Sequence, residues 1–185
     1  NGIGNFNSTD LMKVLSGKIV GVTPYVNSLE EGLKGTCSPK DLETLLQLTY
    51  LMFTAPRMDE AAFESYKNRA KAALQNQELD PMTAFQDTLT VALYDKHPRA
   101  IKFTKEMVDQ IDYARTMEMY RERFADGDDF TFMFVGNIDE ATALPLMEQY
   151  LGALPVKEGA EKYAGQINPT IRKGAYTNNF DRTMQ

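Results

Sequence analysis

The run Phe130 to Asp139, FTFMFVGNID, constrains the fold more than any other stretch of the chain. DFTFMFV alternates little between apolar and polar residues, so it reads as a strand buried on both faces, sandwiched between layers instead of facing water. Gly136 and Asn137 then turn the chain, and Asp139 can cap a helix over Ala141 to Leu151, with Leu144, Met147 and Leu151 inward and Gly152 and Pro155 ending it. A strand entering such a turn could aim helix N–H groups at an anion. GNID is neither GxGxxG nor GxxxxGK[ST], however, and Asp139 sets a negative charge where a phosphate would sit, so the turn reads as structural.

Upstream, KIVGVTPYV has strand character, with Pro24 denying one ladder hydrogen bond and favouring an edge or strand end. EGLKGTC is a weaker second strand, whose Gly32 and Gly35 mark a bulge or a close backbone approach. The apolar period then shifts from two to about 3.6. Ser38 can cap a helix that Pro39 and Asp41 begin, with Leu42, Leu45, Leu46, Thr49 and Phe53 on one face and an end near Ala55, before Pro56. Asp59 opens a second helix with Ala62, Phe63, Tyr66, Ala70, Ala73 and Leu74 inward and Glu64, Lys67 and Lys71 outward. Asp80 and Pro81 open a third, carrying Phe85, Leu89 and Leu93. Thr104 precedes a fourth, predicted as one continuous helix with Met107, Ile111, Ala114, Met117, Tyr120 and Phe124 inward. Beyond Pro155 periodicity fades and Gly, Asn, Thr and charge increase. The expected organisation is a domain over residues 1–155 and a linker towards a following domain over 156–185.

Composition excludes several functions. At 185 residues with 43% apolar and 25% charged residues, the chain can build one core. A formal net charge of -6 leaves no basic surplus for a phosphate backbone, so no nucleic-acid partner is expected. The apolar runs LTYLMFTA and FMFV fall well short of the roughly 18 residues of a membrane span, and none is expected. Cys37 is the sole cysteine, which rules out an internal disulfide without fixing a compartment. NGIGNFNSTD carries no basic n-region leading into an apolar h-region, which is compatible with a signal peptide having been cut away.

Chemically able residues are sparse. His97 is the only imidazole, so a catalytic zinc with three protein ligands would need a set made almost wholly of carboxylates, and His97 reads as a loop connector after the third helix. Cys37 precedes a helix N-terminus, where thiolate is favoured, yet a structural or incidental role fits it better. Glu30 and Glu31 are adjacent and would point to opposite faces of a strand, so they are no acid/base pair. Asp126, Asp128 and Asp129 surround Gly127 as a solvated turn without the spacing of a calcium loop, and Arg121 and Arg123 read as partners in local salt bridges.

Read in order, LSGKIVGVTPYV, EGLKGTCSPKDLETLLQLTYLMFTAPRMDEAAF, HPR and YRERFADGDDFTFMFVGNIDEATALPLMEQYLGALP resemble the pitrilysin/insulinase family of zinc peptidases, above all its large bacterial members. The likeness runs from about Asn5 to Pro155. It implies an α+β fold: a layer of helices on a mixed, mostly antiparallel sheet, here without its N-terminal strands. Such domains pair in halves that enclose a peptide-degrading chamber, with zinc held by His-x-x-Glu-His and a Glu on a later helix. This sequence departs from that pattern. It has no HxxEH, and the later-helix position falls at Ala73, with Glu64 and Glu78 the nearby carboxylates and neither expected to ligate. Either the segment begins after an HxxEH, or it comes from the degenerate half that never binds metal, which Ala73 and LSGKIVGVTPYV favour; the resemblance therefore implies a non-catalytic, chamber-forming segment of a zinc-dependent metalloendopeptidase, with no catalytic or metal-binding residue of its own. Zinc would sit in the parent's catalytic half, and the partners would be other domains of the same chain and peptide substrates, in the periplasm. The alternative is a structural or binding module of a relative that has lost peptidase activity. An HxxEH elsewhere in the parent discriminates the two.

Overall fold

The computed structural model describes residues 2–27, 30–95, 97, 100–157, 170–177 and 179. In chain order its elements are β1 (Gly2–Ile3), β2 (Phe6–Asn7), α1 (Ser8–Val14), β3 (Val20–Val26), β4 (Glu31–Cys37), α2 (Leu42–Thr54), α3 (Glu60–Glu78), α4 (Pro81–Leu93), α5 (Lys105–Asp109), α6 (Tyr113–Arg123) and α7 (Glu140–Tyr150), with short 3₁₀ turns at Pro39–Asp41 and Gly127–Asp129. Two compact units emerge, one from Asn1–Glu60 with Asp112–Tyr163 and one from Ala61–Ile111 with Ala164–Gln185. The class is α+β, as expected.

In the first unit β3 and β4 form an antiparallel hairpin that pairs Val20 with Cys37 and Val26 with Glu31, on the two stretches of strand-like sequence. Bonds from the Asn27 N–H to the Glu30 carbonyl and from the Ser38 N–H to the Ile19 carbonyl, each 2.9 Å, bracket the ladder. Antiparallel alternation then makes Gly21/Thr36, Thr23/Lys34 and Tyr25/Gly32 the bonded pairs and leaves Pro24 facing Leu33 in a non-bonded one. Pro24 therefore removes no bond from this ladder, contrary to the expectation that it would deny one. Gly35 marks a close approach, as anticipated: a Cβ there would lie 2.7 Å from Leu45 Cδ1 on α2.

The turn into α2 is held differently from the predicted cap. Ser38 makes no cap bond through its side chain; its hydroxyl donates to Asp41 Oδ2 at 2.6 Å, and the same oxygen accepts the Ile19 N–H at 3.0 Å. Leu45, Leu46, Leu48 and Phe53 of α2 are buried, and the helix ends at Ala55. Phe53, Phe124 and Leu154 form the core, joined by Leu33, Tyr50, Tyr120, Phe130 and Leu151. The rings meet edge-on at 5.2 Å for Phe53 with Phe124 and at 4.8 Å for Phe53 with Phe130. Tyr150 on α7 donates to Glu43 Oε1 at 2.8 Å and accepts from Gln47 at 3.0 Å, tying α7 to α2.

The segment Phe130 to Val135 departs most from its sequence reading. It pairs with no strand among the described residues, and instead of being buried on both faces it leaves Met133 and Val135 83% and 90% exposed. Phe130 joins the core, and the ring of Phe132 lies 6.1 Å from that of Phe53. The physical reason is the missing neighbour: an apolar strand is buried only where other strands flank it. Gly136 does turn the chain, at φ +152°, a backbone conformation that disfavours side chains. Asp139 caps α7 through the Thr142 N–H and hydroxyl. Ala143 is the buried residue of α7, while Leu144 points outward against expectation.

In the second unit Phe63 is the buried residue of α3, and Tyr66 and Ala73 are exposed instead of inward. Asp80 caps α4 by accepting the Met82 and Thr83 N–H groups at 3.3 and 3.0 Å. Phe85, Leu89 and Leu93 on that helix are exposed. The predicted continuous fourth helix is two. The Gln110 and Ile111 N–H groups close tight turns on Met107 and Val108, and Asp112 then accepts the Arg115 N–H at 2.9 Å to begin α6. An aspartate that bonds nearby backbone favours a cap over a helix interior, and that preference wins over the apolar spacing. Of the expected linker, 158–169, 178 and 180–185 lie outside the described residues. The Arg172 N–H donates to the Leu93 carbonyl at 2.7 Å.

Two substitutions check this packing. Leu46→Ala, at a fully buried side chain, should lower unfolding stability by about 2–5 kcal/mol. Gly35→Val should push α2 off the hairpin and lower it by about 1–3 kcal/mol. Urea unfolding followed by circular dichroism reads both; an unchanged midpoint for Gly35→Val would mean that α2 does not lie on β4.

Candidate functional site

A groove of about 1080 Å³ opens in the first unit. Leu42, Leu45, Thr49 and Phe53, spaced as one stripe of α2, line it together with β4 residues such as Glu31, Leu33, Gly35 and Cys37 and with the stretch from Phe130 to Val135. Arg123 and Glu31 lie at its rim, 3.5 Å apart between Nη1 and Oε1. The lining is mixed: backbone edges and apolar side chains, with Glu30, Asp129 and Asp139 around them.

The groove brings Cys37 together with the carboxylates of Glu30 and Glu31. Cys37 lines the groove beside the start of α2, but burial first and the Asp41 carboxylate second push its thiol up from the ordinary value. A raised pKa lowers the thiolate fraction at neutral pH. Glu31 begins β4, while Glu30 precedes it and accepts from the Asn27 side-chain amide at 3.0 Å. These are structural contacts.

The remaining residues singled out by the sequence are dispersed. His97 is half-buried in the loop after α4, its N–H donating to the Tyr94 carbonyl at 2.9 Å and its carbonyl accepting from Ala100 at 2.8 Å. Pro98 and Arg99, the rest of the HPR word, lie outside the described residues. Asp126 is buried, not solvated; it accepts the Asp128 N–H at 3.1 Å, and the Gly127 N–H donates to the Pro155 carbonyl at 2.8 Å, locking the acidic turn onto the chain after α7. Arg123 reaches Glu31 across the fold instead of a neighbour on its own helix. Glu64 on α3 pairs with Lys67 at 2.6 Å.

Zinc, which the resemblance brings with it, does not fit these residues. The position expected for the later-helix ligand is the exposed methyl of Ala73, Glu64 is engaged by a lysine, and the chain has one imidazole. Among the described residues no group of three or more His, Cys, Asp or Glu side chains could hold a metal ion. None of their helices is long and apolar enough to cross a membrane. A buried phenol is the feature that the sequence did not mark as chemically distinct. Tyr120 donates to the Met52 carbonyl at 3.0 Å, and burial pushes its pKa to about 12. Its place on the inner face of α6 was the available signal.

The geometry can be set beside known proteins. No family model matches the chain. It is 33% identical over 120 residues to the zinc protease PQQL-like of Arabidopsis thaliana, a match that takes in 62% of this chain and 12% of that protein. It is 22% identical over 158 residues to the probable zinc protease PqqL of Haemophilus influenzae, covering 84% of this chain and 17% of that protein. Among solved structures, the periplasmic protease PqqL from Escherichia coli superposes with a TM-score of 0.73 at 21% identity, over 93% of this chain and 19% of that one. The ferredoxin protease FusC, solved as a point mutant in complex with Arabidopsis ferredoxin, superposes with a TM-score of 0.68 at 14% identity, over 92% and 18%. The fold is thus that of a portion of a PqqL-type protease, and the chain spans less than a fifth of the length of each of these relatives. With the sequence matches to zinc proteases, this supports a likeness to the pitrilysin/insulinase-like family, and the partial coverage fits a segment.

Two titrations follow from the site. Cys37 should react with a neutral disulfide reagent at pH 8 several-fold more slowly in the folded protein than in urea, measured by absorbance; an equal or faster native rate would contradict the raised thiol. In a spectrophotometric alkaline titration, one of the nine tyrosines should ionise near pH 12 in the folded protein. Because the unfolded phenol ionises near 10, its contribution to stability is complete below about pH 10 and is lost as pH rises towards 12. Tyr120→Phe should remove that late step.

Proposed function

We propose that the chain is a non-catalytic segment of a PqqL-type zinc metalloendopeptidase and helps to wall the chamber in which peptides are degraded. One observation carries the reading: a chain related to zinc proteases holds a solitary histidine and no HxxEH, so it cannot supply the imidazole pair on which the family's zinc site rests. Zinc and the residues that would hold it would then belong to another part of the parent, where the metal would supply Lewis-acid chemistry towards a peptide carbonyl. This segment contributes packed helices and a hairpin. Its surroundings are the other domains of the parent, and the periplasmic relative supports a periplasmic site of action.

The test is direct. The purified 185-residue chain, titrated with zinc in a calorimeter and assayed on a quenched fluorescent peptide, should bind less than one equivalent at micromolar concentration and show no hydrolysis that chelators abolish. One tightly held zinc, or chelator-sensitive cleavage, would overturn the proposal. In the whole parent, metal removal should abolish hydrolysis; a parent with no zinc-dependent cleavage would instead identify a binding module that has lost its peptidase activity.

A further inference from the structure

We propose that the end of α4 is an intramolecular docking seat: residues 170–177 clasp it reversibly and thereby fix the direction in which the polypeptide leaves the second unit. The consequence for the parent rests on the reading that the stretch beyond Pro155 leads towards a following domain.

The seat follows from how α4 stops. A helix leaves its last carbonyls without intrahelical donors. Here the Tyr94 N–H closes on the Thr90 carbonyl at 3.2 Å, the Asp95 N–H on that of Ala92 at 3.4 Å and the His97 N–H on that of Tyr94 at 2.9 Å. The Leu93 carbonyl is taken from far along the chain, by the Arg172 N–H at 2.7 Å.

Asp95 makes this corner specific. Among the described residues it is the positive-φ residue other than glycine, at +49°, a conformation that aspartate tolerates because its short side chain bonds locally. Its Oδ1 lies 3.6 Å from Arg172 Nη1. Gly174, at φ +93°, lets the chain bend, and the Tyr176 ring then lies 4.7 Å from the Arg172 guanidinium carbon. Arg172 is thus held through its backbone, by a carboxylate and by an aromatic face. A linker without a fixed path makes no such set of contacts.

The same contacts are weak enough to open. The Arg172 and Asp95 side chains are 40% and 68% exposed, so water screens the pair, and one main-chain bond and an exposed cation–π contact each add little. Their sum places the segment among those that open locally while the rest stays folded. Closed, the clasp makes the following part of the parent depart from the end of α4; open, that part hangs on a free tether. Salt favours the open form, because it screens the ion pair.

Hydrogen exchange followed by NMR on the 185-residue chain reads the clasp. At low salt the Arg172 amide should exchange about 10-fold more slowly than in an unfolded chain, and about 1 M salt should remove part of that protection. Asp95→Asn keeps the left-handed corner without its charge, and Arg172→Ala removes both side-chain contacts. Each should lower the protection roughly threefold and abolish its salt dependence, with the Tyr94 amide unchanged. An unprotected Arg172 amide, or equal protection in wild type and both variants, overturns the proposal. A parallel loss at Tyr94 also overturns it, because the effect would then be fraying of α4. Spin labels at Gln86→Cys and Thr177→Cys, in a Cys37→Ser background, read the direction. They should give one narrow distance in the 185-residue chain and in the parent, broadened in both by Arg172→Ala. A distance broad in both, or narrow in the parent alone, overturns the clasp, since in the second case the following domain sets the path. Zinc stoichiometry and hydrolysis report on the functional reading without moving these amides or distances, so the two can fail separately.

Discussion

A buried carboxylate joins the hairpin to the helix that floors the groove. Asp41, 4% exposed, accepts from the Ser38 hydroxyl and from the Ile19 N–H, with the Lys18 ammonium 4.0 Å away. It thereby fixes the residue before β3, the residue after β4 and the start of α2 at one point. The bond from Ser38 and then that from the Ile19 N–H hold its carboxyl below the usual range. A depressed carboxylate pKa stabilises the fold above its unfolded value and loses that contribution as pH falls through the folded one. The joint is thus intact at neutral pH and gives way in acid.

Much of this was legible in the sequence because the signals are local. The sequence marks Asp80, Thr104 and Asp139 as helix starts, and each caps a helix through its own side chain. Gly35, which as a strand glycine marks either a bulge or a close approach, proves to be the second and lies against Leu45. Pro56 marked the end of α2. Misreadings came where a local preference competed with periodicity: the apolar spacing from Met107 to Phe124 predicts one continuous helix, yet the Asp112 carboxylate starts a new one. Ser38 was assigned the cap but gives its hydroxyl to Asp41.

Burial was legible only where both contacting surfaces belong to the described residues. Phe53 and Phe124 reach the core as the spacing demanded, whereas Met133, Val135, Phe85 and Leu89 have the same apolar character and stand in solvent. Hydrophobic patterning states that a residue needs a neighbour and says nothing of where that neighbour is encoded. The groove was invisible for the same reason: its walls are distant in sequence, and only the parity of the β3–β4 ladder shows which backbone groups of β4 face it. The family likeness adds the missing context, since the relatives are several times longer than this chain.

Pro24 makes the hairpin lopsided. In a non-bonded pair it leaves the rungs to β4 whole, but its nitrogen lies on the outer side of β3, where it has no hydrogen to offer an approaching backbone. β4 carries no such block. The ribbon therefore presents an unbroken row of outward backbone donors on its β4 flank and a gap in that row on its β3 flank, a difference made by a single imino acid.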